Sequence, residues 1–519
     1  MTWRNPVLAG FHPDPSACRV GEWFYLATSS FQFFPGLPLR RSTDLVHWEL
    51  VGHAIDRPGQ LDLRGTAPSR GLFAPTLRHH EGRLYLTCTE VDRLGNFLVS
   101  APSIEGPWSE PLPIAVDGID PSLFFDRDGT AYLCSNGRVD GRQGIALSVI
   151  DPANGAILEG PRHVCAGSGG RWPEGPHLYR RGDAWYLLLS EGGTEYGHFV
   201  TVFRAPSPWG PYEACPRNPV LTHRDDAMNP IQCVGHADFV EDAEGHWWCL
   251  CLGTRPLGPL LHNLGRETFL APVSWDDGGW PVIGEGGRLA MEMDGPLPGA
   301  RSRHEKAPTG PAAGSWSMEA TDHRLALEWV SPRSRDARAL RFHGGRGLLL
   351  RGSGCALSEP GGAPALVARP QTSVLCTFEA SLEIAPGEGR TEAGIVVYYD
   401  EDYHYAIVVR TGEEGLSASL RRRVHDLEVE GPSIRLPSGG CLRLRIEADA
   451  ESYGFLVSPG GSREAAWLEL GAGLCAGLCS EGTWRMSFTG VHFGLYCREG
   501  DALFTKASCV DGEAHGLLS

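Results

Sequence analysis

No stretch of the chain is apolar for long enough to cross a bilayer, and the first residues, Met1-Thr-Trp-Arg-Asn-Pro, have neither the basic start nor the apolar core of a secretory leader. A cytoplasmic protein is expected, or a secreted one if a leader has been removed ahead of this start. No dense run of lysine and arginine is present, and a net charge of -17 would repel a phosphate backbone. Neither nucleic acid nor a membrane is an expected partner. The 15 cysteines fall singly or in loose pairs, such as Cys249 with Cys251 and Cys475 with Cys479, and none has zinc-binding spacing. Reduced, partly buried thiols fit an odd number so scattered.

What the chain has in quantity is turn chemistry. Its 67 glycines and 39 prolines favour short strands over helices, while 42% hydrophobic and 21% charged residues are ordinary for a globular protein. At 519 residues it exceeds what one core sustains, so two or more domains are expected.

Five segments share one grammar. They begin Asp14-Pro-Ser, Ala74-Pro-Thr, Asp120-Pro-Ser, Gly175-Pro-His and His236-Ala-Asp. Each runs into a short apolar strand, a charged turn with glycine, and a second strand rich in Trp, Tyr and Leu, which is a hairpin signal. The starts lie roughly 46 to 61 residues apart, enough for the four strands of a propeller blade. The prediction is an all-β chain with a five-bladed propeller over residues 1–300. Innermost strands line a common axis, so Asp14, Ala74, Asp120, Glu174 beside Gly175, and His236 should converge there. Residues 301–316 lack apolar periodicity and read as a linker. Alternating strands such as Gly394-Ile-Val-Val-Tyr-Tyr, Tyr405-Ala-Ile-Val-Val, Leu442-Arg-Leu-Arg-Ile and Gly494-Leu-Tyr-Cys then predict a β-sandwich over 317–519.

Three carboxylates stand at the repeat starts: Asp14 in His12-Pro-Asp-Pro-Ser, Asp120 in Gly118-Ile-Asp-Pro-Ser, and Glu174 in Arg171-Trp-Pro-Glu-Gly-Pro-His. Hydrolysis of a glycosidic bond needs one carboxylic acid to protonate the leaving oxygen and a second carboxylate to activate water or attack the anomeric carbon. A single Asp-Pro-Ser reads as a capped turn. Three carboxylates at equivalent places in one repeat point to chemistry, and the prolines beside them fix the local backbone.

Long stretches resemble glycoside hydrolase family 43, in particular its β-xylosidases and α-L-arabinofuranosidases with a C-terminal concanavalin-like sandwich. They include Asn5-Pro-Val-Leu-Ala-Gly-Phe-His-Pro-Asp-Pro-Ser, Ser30-Phe-Gln-Phe-Phe-Pro-Gly-Leu-Pro, Gly71-Leu-Phe-Ala-Pro-Thr-Leu-Arg, Gly170-Arg-Trp-Pro-Glu-Gly-Pro-His, Glu191-Gly-Gly-Thr-Glu-Tyr-Gly-His and Gly265-Arg-Glu-Thr. The resemblance implies an exo-acting, inverting hydrolase that releases terminal xylose or arabinofuranose from pentose-containing oligosaccharides, as in xylan degradation. It makes Asp14 the general base, Glu174 the general acid, and Asp120 the group that orients Glu174 and raises its pKa. It gives Arg266 to the sugar hydroxyls, Phe31 and Phe73 to the pentose ring, and Phe488 to the edge of the sandwich facing the pocket. His236 matches a family histidine near the axis. A neutral histidine that orients water or Asp120 is the preferred reading, with a structural calcium ion as the alternative and no cofactor required. Self-association is a further expectation from the family. The competing readings are a carbohydrate-binding propeller without catalysis and a propeller glycosidase of other sugar specificity, such as an invertase-like fructosidase.

Overall fold

The structure is a computed structural model that describes residues 1–512 apart from 259, 300–315, 319–326, 337, 343–345, 385–389, 413–414, 438–439 and 461–464. The expected linker, 301–316, therefore lies outside the described residues up to position 315. Secondary structure among the described residues is β, apart from two short 3-10 turns, Cys475–Leu478 and Ser480–Gly482. No described helix is long and apolar enough to cross a membrane.

The five repeats are five antiparallel sheets, with inner strands Ser16–Val20, Thr76–His80, Ile119–Phe125, Glu174–Arg181 and Gln232–Glu241. The strand after each is buried on both faces, as in Trp247–Thr254, because every blade packs between two others. Four blades have four strands, and the fourth blade carries an extra one, Leu221–Thr222. The ring closes through the start of the chain: Thr2–Arg4 pairs antiparallel with Glu292–Asp294, and the Asn5 side chain bonds both backbone groups of Leu270. Trp3 packs edge-on against Trp248 at 5.8 Å over this seam. Closure brings His12-Pro-Asp beside the third strand of the fifth blade, where the His12 N–H donates to the Arg266 carbonyl.

Below the repeat starts, the axis is filled by a buried polar plug to which every blade contributes. Arg78 holds Asp238 with both terminal nitrogens, at 2.8 and 3.0 Å, and Ser16 and Tyr179 donate to the same carboxylate. Ser122 and Arg78 meet Nδ1 of His177. Burial pushes the His177 pKa down to about 3, so the ring is neutral. Burial opposes ionisation of Asp238 as well, yet Arg78, His177 and Tyr179 together hold its carboxyl below the usual range.

The sandwich joins an eight-stranded and a seven-stranded sheet. In the seven-stranded sheet, Thr391–Asp400 is buried along its whole length. Ile395, Val397 and Tyr399 face the sandwich core, while Val396 and Tyr398 pack with Phe11, Phe31 and Phe33 of the propeller. A two-residue strand, Ser331–Pro332, pairs with Phe33–Phe34. The next residue, Arg333, is 1% exposed and donates to Thr66 O, Gly362 O and Glu401. The two domains thus share a core. All 15 cysteines are unpaired thiols, buried apart from the half-buried Cys355 and Cys441.

Candidate active site

Four of the five repeat starts share an unusual backbone, Ala74 being the exception. Asp14, Asp120 and His236 have φ of 53°, 55° and 45°, and Gly175 has 56°. Only glycine adopts this left-handed region without cost; for other residues it costs about 1–3 kcal/mol and marks sites where geometry is functional. In blades three to five the residue sits in a bulge, between Ile119 and Ser122, Glu174 and His177, and Gly235 and Asp238. The bulge turns one side chain into the channel mouth and returns the chain to the ladder two residues later. The fourth repeat differs: glycine takes the bulge and the acid moves one residue earlier, to Glu174. A Cβ on Gly175 would stand 3.0 Å from the His236 ring, so the exchange makes room for the histidine.

Asp14, Ala74, Asp120, Glu174 and His236 line one cavity of about 310 Å³, together with Phe31, Phe73, Arg266 and Phe488. Every site residue expected from the sequence is therefore brought to the same place. Their surroundings differ sharply. Asp14 is 3% exposed. Arg266 Nη1 donates to its Oδ1 at 2.9 Å and Nη2 to its Oδ2 at 3.3 Å, Ser29 donates to Oδ2, and His236 Nδ1 is 3.6 Å from Oδ1. Burial raises the Asp14 pKa, but Arg266, His236 and Ser29 outweigh it and leave the carboxyl below its ordinary value.

Glu174 is pushed the other way. Burial, then the negative charges of Asp120 and Asp14, lift its pKa to about 8, with Arg266 opposing. Asp120 is raised too, mainly by burial, with His236 pulling it down and Asp14 adding to the rise; its Oδ2 accepts the Gly175 N–H at 3.0 Å. Asp120 therefore touches the backbone that carries Glu174, and its charge acts on the Glu174 carboxyl across the pocket.

Arg266, expected on sugar hydroxyls, lines the cavity and also donates to Asp14, to Thr194 Oγ1 at 3.1 Å and to the Phe488 carbonyl at 3.3 Å, while its buried Nε has no partner among the described residues. His236, expected to orient water or Asp120, lies against Asp14 and Gly175 and pulls the Asp120 pKa down, while its backbone N–H donates to Ser190 Oγ. Among the described residues no three His, Cys, Asp or Glu side chains are grouped to hold a metal ion. The axial cation is the Arg78 guanidinium, and no step is routed through a metal ion.

The apolar wall comes from both domains. Phe31, Phe73 and Phe488 sit with ring centroids 5.3 to 5.8 Å apart. Phe488 reaches the propeller because two glycines let the domains touch: a Cβ on Gly490 would lie 2.3 Å from the Leu264 carbonyl, and one on Gly265 would lie 3.0 Å from the Gly490 Cα. Ser69 Oγ accepts the Phe488 N–H at 2.9 Å.

Sequence reasoning missed Trp172, Thr194, Asn136 and Met486, which also line the cavity. Trp172, 48% exposed with φ 50°, stands inside the Arg171-Trp-Pro-Glu motif, so the signal was present. Its loop is anchored by Glu191, fully buried, which accepts from Ser168 N, Gly170 N and Thr201 Oγ1.

Comparison with known proteins agrees with this geometry. Residues 3–281 match "Glycosyl hydrolases family 43", and residues 320–506 match "Beta xylosidase C-terminal Concanavalin A-like domain". The chain is 37% identical over 500 residues to a non-reducing end alpha-L-arabinofuranosidase of Bacteroides ovatus, covering 95% of this chain and 91% of the relative. It is 33% identical over 530 residues to a beta-xylosidase of Bacillus subtilis, covering 96% and 97%. Among solved structures, a xylan beta-1,4-xylosidase from Bacillus halodurans superposes with a TM-score of 0.90 at 32% identity, over 98% of this chain and 100% of that one.

Proposed function

Because the chain belongs to glycosyl hydrolases family 43 and is a glycoside hydrolase, we propose that it removes terminal xylose or arabinofuranose by a single displacement, with Asp14 as base and Glu174 as acid. The observation that carries this reading is the opposed electrostatics of two carboxyls on one cavity. Asp14 is held ionised by Arg266, and Glu174 is held protonated by burial and by Asp120. An environment that splits two carboxyl pKa values in this way assigns the acid and the base.

The steps follow from the residues. Asp14 takes a proton from a water that attacks the anomeric carbon, and Glu174 gives its proton to the departing glycosidic oxygen. Inversion requires the two carboxyls to be roughly 6.5–9.5 Å apart, with the water between the base and the sugar. Phe31, Phe73 and Phe488 present an apolar surface to the faces of the pentose ring. A cavity at the lower end of the ~300–1,000 Å³ range of ligand sites suits one terminal sugar and supports exo action.

The deciding experiment is hydrolysis of an aryl β-D-xyloside and an aryl α-L-arabinofuranoside by the intact protein and by Glu174→Gln, with the anomer of the first product followed by proton NMR. Cleavage of either substrate with inverted product, reduced about 10²–10⁴-fold in the variant, is expected. A product of retained configuration would remove Asp14 from the role of base. Failure of folded protein to cleave either sugar would remove the pentose assignment.

A further inference from the structure

A second cavity, of about 40 Å³, lies on the seam between the first blade and the sandwich and shares no lining residue with the sugar pocket. Arg40 and His53 enter it from the first blade, His12 from the segment that precedes Asp14, and His492 from the sandwich. Three buried polar atoms on its walls lack a hydrogen-bond partner: Arg40 Nη1, His12 Nδ1 and His492 Nε2. Arg40 is 4% exposed, and no ion pair joins it to a carboxylate among the described residues. Glu328 also lines the cavity, but its carboxylate is 2.7 Å from Arg369.

A guanidinium buried in this way calls for a counter-charge. The histidines do not offer one. Burial first, then the charge of Arg40, pushes His12 and His53 down, the latter to about 3, and burial takes His492 to about 4. The walls are thus neutral rings around one cation, and the carboxylate that acts on that cation, Glu328, is itself paired with Arg369. The volume suits one small ion, since a water needs only about 10–15 Å³ by the same kind of measure.

We propose that this cavity binds one small monovalent anion on Arg40, between His12 and His492, and that the anion fastens the sandwich to the propeller behind the Asp14 loop. The connection to that loop is Ser29, which lines the cavity and donates its hydroxyl to Asp14. His492 Nδ1 is 2.8 Å from the Gly490 carbonyl, so the neutral ring donates there and presents a lone pair at Nε2. A halide against that atom binds with a proton on His492, and its affinity falls as pH rises. Bicarbonate carries its own hydroxyl proton and can satisfy Nε2 without charging the ring. Around His492 the charged and titratable groups are Arg40, His12, His53 and the Glu328–Arg369 pair.

The test is thermal unfolding of the full chain in sodium chloride, bromide, bicarbonate and gluconate at equal ionic strength and fixed pH. A saturable rise of a few degrees in a small anion, absent in gluconate and absent in Arg40→Met, is expected. A halide response that fades as pH rises assigns the halide, and a response to bicarbonate alone assigns the polyatomic anion. Equal melting in all four salts overturns the site. Should Arg40→Met fail to fold, crystals of the unsubstituted protein grown with bromide decide. An anomalous peak within hydrogen-bond distance of Arg40 Nη1 is expected alongside the stabilisation in solution. Ordered water alone at that position in bromide crystals and in bicarbonate crystals alike, or a peak without any stabilisation in solution, overturns the proposal.

Discussion

Arg266 grips both oxygens of Asp14, at 2.9 and 3.3 Å, across the seam where the beginning of the chain is stitched to its fifth blade. The pair makes the ring closure and the chemistry one structure, because the strand pairing that holds residues 2–4 also sets where the base stands. Lysine keeps the charge but loses the planar fork that meets both oxygens. Arg266→Lys should lower kcat/KM by roughly 10²-fold through misplacement of the base. Arg266→Met, which removes the charge, should also move the acid limb of the pH profile to higher pH, since Arg266 is the strongest of the groups that lower the Asp14 pKa. An acid limb that stays in place would show that Arg266 acts on substrate and not on Asp14.

The alkaline limb belongs to Glu174. It must be protonated to act, so activity should fall as pH rises through about 8. Asp120→Asn removes the neighbouring charge that, after burial, contributes most to that elevation, so the limb should shift to lower pH. Stability follows the same group: the folded pKa lies above its ordinary value, so the folded state holds the proton more tightly. The contribution to stability is full below the unfolded pKa and is lost as pH rises through the folded one. Glu174→Gln should therefore flatten the decline of melting temperature between about pH 5 and 8, measured by thermal denaturation.

Gly175 holds the acid and the axial histidine apart. Alanine there meets the left-handed penalty of about 1–2 kcal/mol and also presses on the His236 ring. Gly175→Ala should reduce stability by more than the backbone penalty alone and lower kcat more than it changes KM, because the displaced N–H is the one that Asp120 accepts. Unchanged kcat in a folded variant would separate Asp120 from the acid.

The repeat was legible because each blade writes its innermost strand in the same residue order, and that order placed Asp14, Asp120, Glu174 and His236 around one axis. The bulges were not legible. Nothing in Asp-Pro-Ser states that φ is positive, so the offset of Glu174 from the other repeat starts could be seen only as an acid beside a glycine. The partner of Arg266 was hidden for a different reason: Gly-Arg-Glu-Thr lies far along the chain from Asp14, and the closure that joins them is a tertiary contact. The sandwich strands could be read from alternation. The docking of Val396 and Tyr398 on Phe31 and Phe33 could not, since a strand buried on both faces looks the same whichever domain covers it.

The reach of the sandwich into the sugar pocket depends on the contact of Gly265 with Gly490. Gly490→Ala would push the Leu264 carbonyl aside and withdraw Phe488 from the pocket wall. KM should rise, and the domains should unfold in separate steps on heating where the parent shows one. Phe488→Ala, which keeps the seam, should raise KM without splitting the transition. A split in both variants would mean that the ring itself, and not the glycine contact, joins the domains.

Arg78 and Asp238 plug the axis beneath the carboxylates without lining the cavity. Asp238 is fully buried and Arg78 largely so, and removing one partner from such a pair costs about 3–5 kcal/mol, since the remaining charge is stranded. Asp238→Asn should therefore lower the melting temperature markedly, and Arg78→Met should do the same by leaving an anion supported by neutral donors, Ser16, Tyr179 and the Ala17 N–H. The double variant removes both charges and should be less harmful than the sum of the singles, so a double-mutant cycle should return a favourable coupling energy. The pH profile should stay where it is in all three, because neither residue is among the groups that set the pKa of Asp14 or Glu174. A shift in either limb would mean that the plug acts on the chemistry, and additive losses of stability would mean that Arg78 and Asp238 are held by their other partners and not by each other.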